Sequence, residues 1–187
     1  MSRAVRAAEI FERPREIEEL GDLLANIWQV CYVTTDLDRG MAEMGERLGI
    51  TNFTEVPTEG ATFLEGSEPA RWEVRVAMGA RGGPIVEMIQ PIAGEVDFYR
   101  RVLPADGSFG LAFHHLAVLV PLGDEAWDSV TALLAERGLP VRYTILIPDR
   151  ARLAYVDTRR QLGHWIELCQ LQKADIEFFS GLIEEGA

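Results

Sequence analysis

The amino-acid sequence predicts an α+β protein in which two repeated β-α-β-β-β modules form a curved, cleft-containing mixed sheet, with extra N- and C-terminal helices. Residues 83–90 and 163–170 share the pattern Gly-x-x-aliphatic-Glu-hydrophobic-x-Gln. Residues 29–33 match residues 115–119, and each of these strands leads into an amphipathic helix that ends beside a glycine. Internal repetition of this kind indicates one unit used twice. Strands outnumber helices in each unit, which excludes a doubly wound α/β fold. Two such sheets are expected to curve around a shared cleft.

Composition limits the partners of the chain. Its 187 residues carry a formal net charge of −12, whereas nucleic acid and anionic lipid both require a basic surface. No stretch approaches the roughly 18–20 apolar residues that span a bilayer, and the acidic N-terminus lacks the apolar centre of a signal peptide. Cys31 and Cys169 lie in predicted strands and are expected to be reduced core thiols. We therefore expect a cytoplasmic protein that binds neither nucleic acid nor membrane.

The first elements are predicted from capping residues and apolar spacing. Residues 1–25 form a charged N-terminal extension that is expected to be helical over 14–25, since the proline there suits a first helical turn. Residues 27–34 alternate as a strand. Asp36 suits the N-cap of a helix over 37–48, and the glycine that follows is typical of a helix end.

Short strands separated by glycine and proline complete the first module. They are predicted over residues 53–56, 61–64, 72–78 and 85–90. A linking helix is predicted over residues 93–103, so that module 1 with this helix covers residues 26–103. The turn-rich segment 104–108 is the expected boundary between the modules.

The second module, residues 104–171, repeats this order. A strand over 113–120 precedes a helix over 125–137 whose apolar residues lie on one side. Further strands are predicted over residues 142–147, 152–156 and 165–171. Residues 172–187 close the chain, with a C-terminal helix over 173–185.

Four polar residues occupy equivalent positions in strands that are otherwise apolar: Gln29, Glu87, His115 and Glu167. A glutamate flanked by apolar residues on its own face is costly to bury unless it is paired or bound to a cation. The four side chains would converge if the modules pack around a pseudo-twofold axis. Strand alternation predicts that His114 and His115 point to opposite faces, so that only one histidine enters the site.

One imidazole, two carboxylates and one amide oxygen suit a divalent metal ion: Zn²⁺, Ni²⁺, Co²⁺, Fe²⁺ or Mn²⁺. Four protein ligands would leave two positions of an octahedral ion open, as in a catalytic site. Other interpretations stay open at this point. A strand glutamine also serves as a hydrogen-bonding edge residue, and a strand glutamate also pairs with arginine. Cys31 and Cys169 either line the cavity floor or are small core residues. Aromatic and apolar candidates for the cleft wall are Phe63, Trp72, Met78 and Trp165.

The sequence around these residues resembles the vicinal oxygen chelate superfamily, which includes glyoxalase I, methylmalonyl-CoA epimerase, extradiol dioxygenases and bleomycin-resistance proteins. The resemblance covers residues 26–171 and is carried by the segments 86–91, 115–118 and 166–168. It implies a metal in a U-shaped cleft, with ligands at Gln29, Glu87, His115 and Glu167. This set is similar to that of glyoxalase I, whereas epimerases of the superfamily more often have a histidine at the first position.

The resemblance implies a divalent-metal-dependent isomerase, epimerase or lyase that acts on a small substrate with neighbouring oxygens. Such enzymes abstract a proton next to a carbonyl group and stabilise the resulting enediolate on the metal. The expected catalytic residues are Glu167 as the base and Glu87 as the facing acid. A homodimer is also expected. The alternatives are a metal-free small-molecule binding protein of the bleomycin-resistance type and a metal-dependent dioxygenase.

Overall fold

A computed structural model describes residues 10–11 and 14–187. Over these residues the strands are β1 (Ile27–Thr34), β2 (Thr54–Val56), β3 (Thr62–Glu65), β4 (Glu68–Ala70), β5 (Trp72–Gly79), β6 (Ile85–Gly94), β7 (Leu111–Leu119), β8 (Val141–Ile147), β9 (Ala151–Val156) and β10 (Trp165–Leu171). The α-helices are α1 (Leu37–Leu48), α2 (Asp97–Arg100), α3 (Asp124–Glu136), α4 (Arg159–Leu162) and α5 (Lys173–Glu185), and a 3-10 helix spans Leu20–Asn26. None of the helices in this part of the chain is long and apolar enough to cross a membrane.

All of these strands belong to one mixed sheet with the order β2-β5-β6-β1-β7-β10-β9-β8-β3-β4. The first strands of the two modules, β1 and β7, pair antiparallel at its centre. Each is flanked by the last strand of its own module in parallel, β6 beside β1 and β10 beside β7. The order β1-β6-β5-β2 on one side is therefore repeated as β7-β10-β9-β8 on the other. This arrangement confirms the predicted fold class.

The β3–β4 hairpin departs from the predicted order. The strand expected at 61–64 does not join β1, β2, β5 and β6 of module 1. Instead β3 pairs with its hairpin partner β4 on one side and with β8 of module 2 on the other, where Phe63 lies opposite Ile145. Strand β4, which was not predicted, completes the hairpin across a turn in which Gly66 has a φ of 61°. Aromatic packing explains this position, since the Phe63 ring stacks on Tyr143 of β8 with centroids 5.4 Å apart.

The sheet curls, so that strands far apart in its order face each other. Phe63 of β3 and Trp72 of β5 lie near opposite ends of the strand order, yet their rings stack at 5.8 Å. Buried residues from both halves fill the concave side, among them Val76 of module 1 and Tyr155 of module 2. Helices α1 and α3 cover the outer side through separate apolar clusters. The concave side is the predicted cleft.

Helix α1 begins and ends where the sequence predicts. The Asp36 side chain accepts a hydrogen bond from the Arg39 backbone N–H and caps the first turn. Gly49 ends the helix with a φ of 68°, a left-handed conformation that glycine adopts without a side-chain clash. The predicted C-terminal helix matches α5, whose Phe179 packs on Trp28 of β1 with ring centroids 4.9 Å apart.

Two predicted helices are shorter in the structure. The linking helix expected over 93–103 is reduced to α2, because β6 continues to Gly94 and the chain turns there with a φ of 80°. In the N-terminal extension, residues 14–19 are not helical, and the 3-10 helix covers only the end of the predicted region. The Asn26 side chain holds the backbone of Arg15 through two hydrogen bonds, which favours an extended approach. Residues 1–9 and 12–13 lie outside the described residues.

Candidate metal centre

The structure brings the four predicted side chains together at the centre of the sheet. They come from four adjacent strands: Gln29 from β1, Glu87 from β6, His115 from β7 and Glu167 from β10. The Gln29 amide Nε2 donates a hydrogen bond to Glu87 Oε2 at 2.9 Å. His115 Nε2 lies 3.3 Å from Glu87 Oε2 and 3.5 Å from Glu167 Oε2. All four residues are at least 94% buried, since their exposed fractions run from 0% to 6%.

A β-bulge precedes the inward-facing residue in each central strand. Ile27 pairs with Val118 and Gln29 with Ala117, which leaves Trp28 as an extra residue of β1. In β7, His114 is the extra residue, because Cys31 pairs with His115 while the next residue of β1 pairs with Phe113. Bulges bend a strand and redirect side chains, and they are frequent next to active sites.

The bulge overturns the prediction that His114 and His115 point to opposite faces. Their Nδ1 atoms lie 2.9 Å apart, and His114 Nε2 lies 3.1 Å from the carbonyl oxygen of Phe98. The prediction assumed regular alternation, which an extra residue in the strand breaks. Burial lowers the pKa of His114 well below its ordinary value, and the neighbouring His115 lowers it further, so this imidazole is neutral.

Within the part of the chain that the structure describes, the two carboxylates have no arginine or lysine partner. Over the described residues, His115 is the one basic group within ion-pair distance of Glu87 or Glu167, so none of the described arginines pairs with either glutamate. Burial raises the pKa of Glu87, and the charge of Glu167 raises it further, while His115 opposes both effects. Burial alone would lower the pKa of His115, but Glu167 and Glu87 outweigh it and raise that pKa to about 9. The cluster therefore attracts positive charge.

Unpaired polar atoms provide a test of whether a metal ion fits. Within the part of the chain that the structure describes, Gln29 Oε1 and His115 Nε2 are buried and form no hydrogen bond that meets ordinary geometry. Buried polar atoms are rarely left in this state unless a ligand completes them. With the two carboxylates they provide three oxygen donors and one nitrogen, a set that suits divalent first-row ions. The donor chemistry fits a divalent cation, and the role of these residues as ligands stays a prediction.

Cys31 also belongs to the cluster. The sequence predicted for it only a position in the core or on the cavity floor. It pairs with Glu87 on one side and His115 on the other, and the donor atoms of these three residues lie within 4.8 Å of one another. Burial raises the pKa of the Cys31 thiol well above its usual value, and the charge of Glu87 adds to this. Its sharing a strand face with Gln29 was the feature that pointed to this position.

A partly enclosed cavity of about 70 Å³ adjoins the two glutamates. Its walls are mainly apolar side chains from both modules, and Glu87 and Glu167 are among the lining residues. Of the predicted wall residues, Trp72 and Met78 line this cavity, whereas Phe63 and Trp165 do not. Volume close to that of two or three water molecules admits only the small reacting part of a substrate.

Two buried tyrosines that were not predicted as functional also line the cavity. Tyr99 of α2 and Tyr155 of β9 join through their hydroxyl oxygens at 2.9 Å. Tyr155 lies directly opposite Glu167 in the sheet. Two hydroxyl groups carry two hydrogens and their mutual bond uses one, so one O–H remains free to donate into the cavity. Burial raises the pKa of Tyr155 well above its usual range, and the charge of Glu167 raises it further, so the phenol keeps its proton.

Comparison with known proteins extends these observations. Residues 28–145 match the family model described as the Glyoxalase/Bleomycin resistance protein/Dioxygenase superfamily. Methylmalonyl-CoA epimerase from Mycobacterium tuberculosis is similar in fold, with a TM-score of 0.57 and 18% identity over 83% of this chain and 93% of that chain.

Two further structures are similar. A hypothetical protein from Bacillus halodurans C-125 gives a TM-score of 0.53 with 14% identity, over 79% of this chain and 94% of its own. A variant of Streptomyces coelicolor methylmalonyl-CoA epimerase in complex with 2-nitronate-propionyl-CoA gives 0.52 and 19%, over 79% and 95%. No curated protein sequence matches the chain. At these identities the structural similarities establish the fold alone.

Proposed function

Because the chain belongs to the glyoxalase/bleomycin resistance protein/dioxygenase superfamily, we propose that it is a divalent-metal-dependent isomerase or epimerase that moves a proton at a carbon next to a carbonyl group. One observation carries the proposal. Two glutamates from equivalent strands of the repeat meet a buried imidazole beside a partly enclosed cavity, and His115 is their one basic partner over the described residues.

Four side chains would hold the metal: Gln29 through Oε1, His115 through Nε2, and the carboxylates of Glu87 and Glu167. When bound, a divalent ion supplies Lewis-acid polarisation of the substrate carbonyl, which acidifies the neighbouring C–H bond. This assignment is supported by Gln29 Oε1 and His115 Nε2, because both atoms are buried and neither has a hydrogen-bond partner among the described residues. Their burial makes a bound cation the simplest compensation.

The glutamates have separate roles in moving the proton. We assign Glu167 as the base that takes the proton from carbon and Glu87 as the acid that returns one on the opposite side. Burial raises the pKa of Glu87 in the metal-free protein, so this carboxylate takes up a proton more readily than an exposed glutamate whenever it is not bound to the ion. An acid and a base that come from different modules and line one cavity suit a reaction that removes a proton from one face and restores it on the other.

The cavity defines the part of the substrate that reacts. Its volume of about 70 Å³ and its apolar walls favour a small acyl group. The free hydroxyl hydrogen of the Tyr99–Tyr155 pair is placed to donate to a substrate oxygen, where negative charge develops as the proton leaves. Structural neighbours include epimerases in complex with acyl-CoA compounds. Acyl-CoA esters are therefore the first substrate class to test, followed by 2-oxo and 2-hydroxy acids.

The test begins with the metal content of purified protein, before and after add-back of Zn²⁺, Ni²⁺, Co²⁺, Fe²⁺ and Mn²⁺. We expect close to one equivalent of ion in the wild type and a loss of ion in Glu167→Gln. Glu177→Gln is the matched control, because its carboxylate is exposed on α5 and pairs only with Lys173 among the described residues. Substrate incubated in D₂O should gain deuterium at the carbon next to the carbonyl, at a rate that Glu167→Gln lowers by about 10²–10⁴-fold.

Absence of metal from the wild type after add-back would contradict the proposal and favour the metal-free binding protein. The dioxygenase alternative requires a second imidazole in the site, and both nitrogens of His114 are already engaged by His115 and Phe98. Oxygen consumption with catechols by the metal-loaded protein would establish that alternative instead, and we expect none.

A further inference from the structure

His114 has a hydrogen-bonding arrangement that a core residue does not require. It is 1% exposed and lies at the β-bulge of β7, directly before His115. Its ring contacts a backbone carbonyl through one nitrogen and the His115 ring through the other, at 3.1 Å and 2.9 Å. The two imidazoles form a chain that runs from the Phe98 carbonyl to the glutamate pair.

The direction of this chain follows from its fixed end. A carbonyl oxygen only accepts hydrogen bonds, so His114 Nε2 carries a hydrogen and donates it to Phe98. A neutral imidazole has one N–H, which leaves His114 Nδ1 as a bare acceptor. The hydrogen between the two Nδ1 atoms therefore belongs to His115. In the neutral form of His115, its other nitrogen, Nε2, then carries a lone pair, and this is the atom that lies beside Glu87 and Glu167.

We propose that His114 is a positioning residue that holds His115 in the tautomer whose Nε2 lone pair faces the two glutamates. The proposal rests on the proposed function in one respect, because a lone pair beside two carboxylates is useful only for binding a cation. A histidine ligand generally donates its other ring N–H to a partner that fixes its orientation. Here the partner is a second histidine, delivered by a bulge, in place of the carboxylate or backbone carbonyl that usually has this role.

Module 1 has no counterpart of the contact between His114 and His115, although it has the same bulge. Trp28 occupies the bulge position before Gln29, and its indole offers a donor but no acceptor. A glutamine amide has no tautomer to be fixed, so Gln29 needs no such neighbour. Trp28 packs instead against Phe11 and Phe179, with ring centroids 5.4 Å and 4.9 Å apart. The bulge is shared by both modules, and the tautomer control belongs to module 2.

The test compares His114→Phe with His114→Asn. Phenylalanine fills the space without an acceptor, whereas the asparagine Oδ1 stands near the position of His114 Nδ1 and accepts from His115. We expect His114→Phe to weaken Zn²⁺ binding by about 10–100-fold, and His114→Asn to retain affinity within about threefold of the wild type. Zinc affinity is measured by competition with a chromophoric chelator. Trp28→Phe, a substitution at the equivalent bulge, is the control and should bind zinc as the wild type does.

A second readout follows the tautomer without metal or substrate. In ¹⁵N-histidine spectra of the metal-free wild type recorded at a pH where the His115 ring is neutral, that ring should carry its hydrogen on Nδ1 and none on Nε2. In His114→Phe the neutral ring should show a mixture of both tautomers. A wild-type spectrum with the proton on Nε2 would overturn the inference, as would undiminished zinc affinity in His114→Phe. If the wild type binds no metal, the proposed function fails while the spectra still decide the role of His114.

Discussion

The two modules share a backbone and differ in almost every side chain that faces the site. At equivalent positions, module 1 has Trp28, Gln29, Cys31 and Met78, and module 2 has His114, His115, Ala117 and Tyr155. Only the glutamates, Glu87 and Glu167, are the same in both. At these positions, module 1 adds an amide and a thiol to its glutamate, and module 2 adds two imidazoles and a phenol.

The symmetry of the fold brings the site residues together. The differences between the side chains of the two modules make the surroundings of the two glutamates unequal. Glu87 has Met78 as its sheet neighbour and accepts a hydrogen bond from Gln29. Glu167 has Tyr155 in the corresponding place and lies 3.4 Å from the Cys169 thiol. Two carboxylates with identical backbone positions thus experience different surroundings, which is the condition for one to act as the acid and the other as the base.

The largest predicted effect comes from making the modules alike. His115→Gln gives module 2 the residue of module 1 and removes the one imidazole that faces the glutamates. We expect metal affinity to fall by more than about 100-fold, because changes to the partners of a ligand alone cost about 10–100-fold. Gln29→His, which makes the modules alike in the other direction, should instead strengthen binding. Both affinities are measured by chelator competition, and equal affinity in His115→Gln would remove this residue from the proposed ligand set.

An intermediate effect is expected where Tyr155 of module 2 replaces Met78 of module 1. Tyr155→Phe removes the hydroxyl group and leaves the ring, so turnover should fall by about 10–100-fold, which corresponds to a hydrogen bond to a charged oxygen. Metal content should not change. Met78→Leu alters the equivalent position without a polar group and should leave turnover within about threefold. Steady-state rates of deuterium exchange distinguish the two, and a normal rate in Tyr155→Phe would exclude the hydroxyl from the reaction.

The smallest effect concerns pH. Glu167 and Glu87 raise the pKa of His115 to about 9. At neutral pH in the metal-free protein this residue is therefore an imidazolium, with a hydrogen on each ring nitrogen. A metal ion must displace that proton, so affinity should rise by up to about tenfold per pH unit until the pH reaches about 9 and then level off. Calorimetry in buffers of different ionisation enthalpy should detect the released proton at pH 7. Binding that weakens as the pH rises over this range would contradict the assigned ionisation.

The sequence was sufficient to predict elements whose bounds depend only on neighbouring residues in the chain. The strand Ile27–Thr34 and the helix Leu37–Leu48 were predicted to the residue, because alternation and capping depend on neighbours in the chain. The convergence of Gln29, Glu87, His115 and Glu167 followed from the repeat, since equal positions in two symmetric modules meet at the axis between them. Their chemical role is not a property of the fold and remains for the metal measurements to decide.

The predictions were wrong or incomplete for residues whose positions depend on contacts between segments that are distant in the chain. The contact between His114 and His115 depends on a bulge that exists only in the register of β7 against β1. The position of the β3–β4 hairpin depends on contacts of Phe63 with residues about 80 positions away, such as Tyr143. Tyr99 and Tyr155 are separated by 56 residues, and nothing in either local segment indicates that their hydroxyl groups meet. Each of these is a tertiary effect without a local sequence pattern.

The hairpin has a consequence for how the halves of this chain can be separated. A duplicated protein invites division at the turn-rich segment between its copies. Here, however, β3 from the first half is the strand that covers the outer edge of β8 in the second. A fragment cut at residues 104–108 would expose that edge, and an uncovered strand edge pairs readily with other chains. Although the fold repeats one module, module 2 depends on a strand of module 1 to cover its edge, so we expect the two modules to be stable only as one chain.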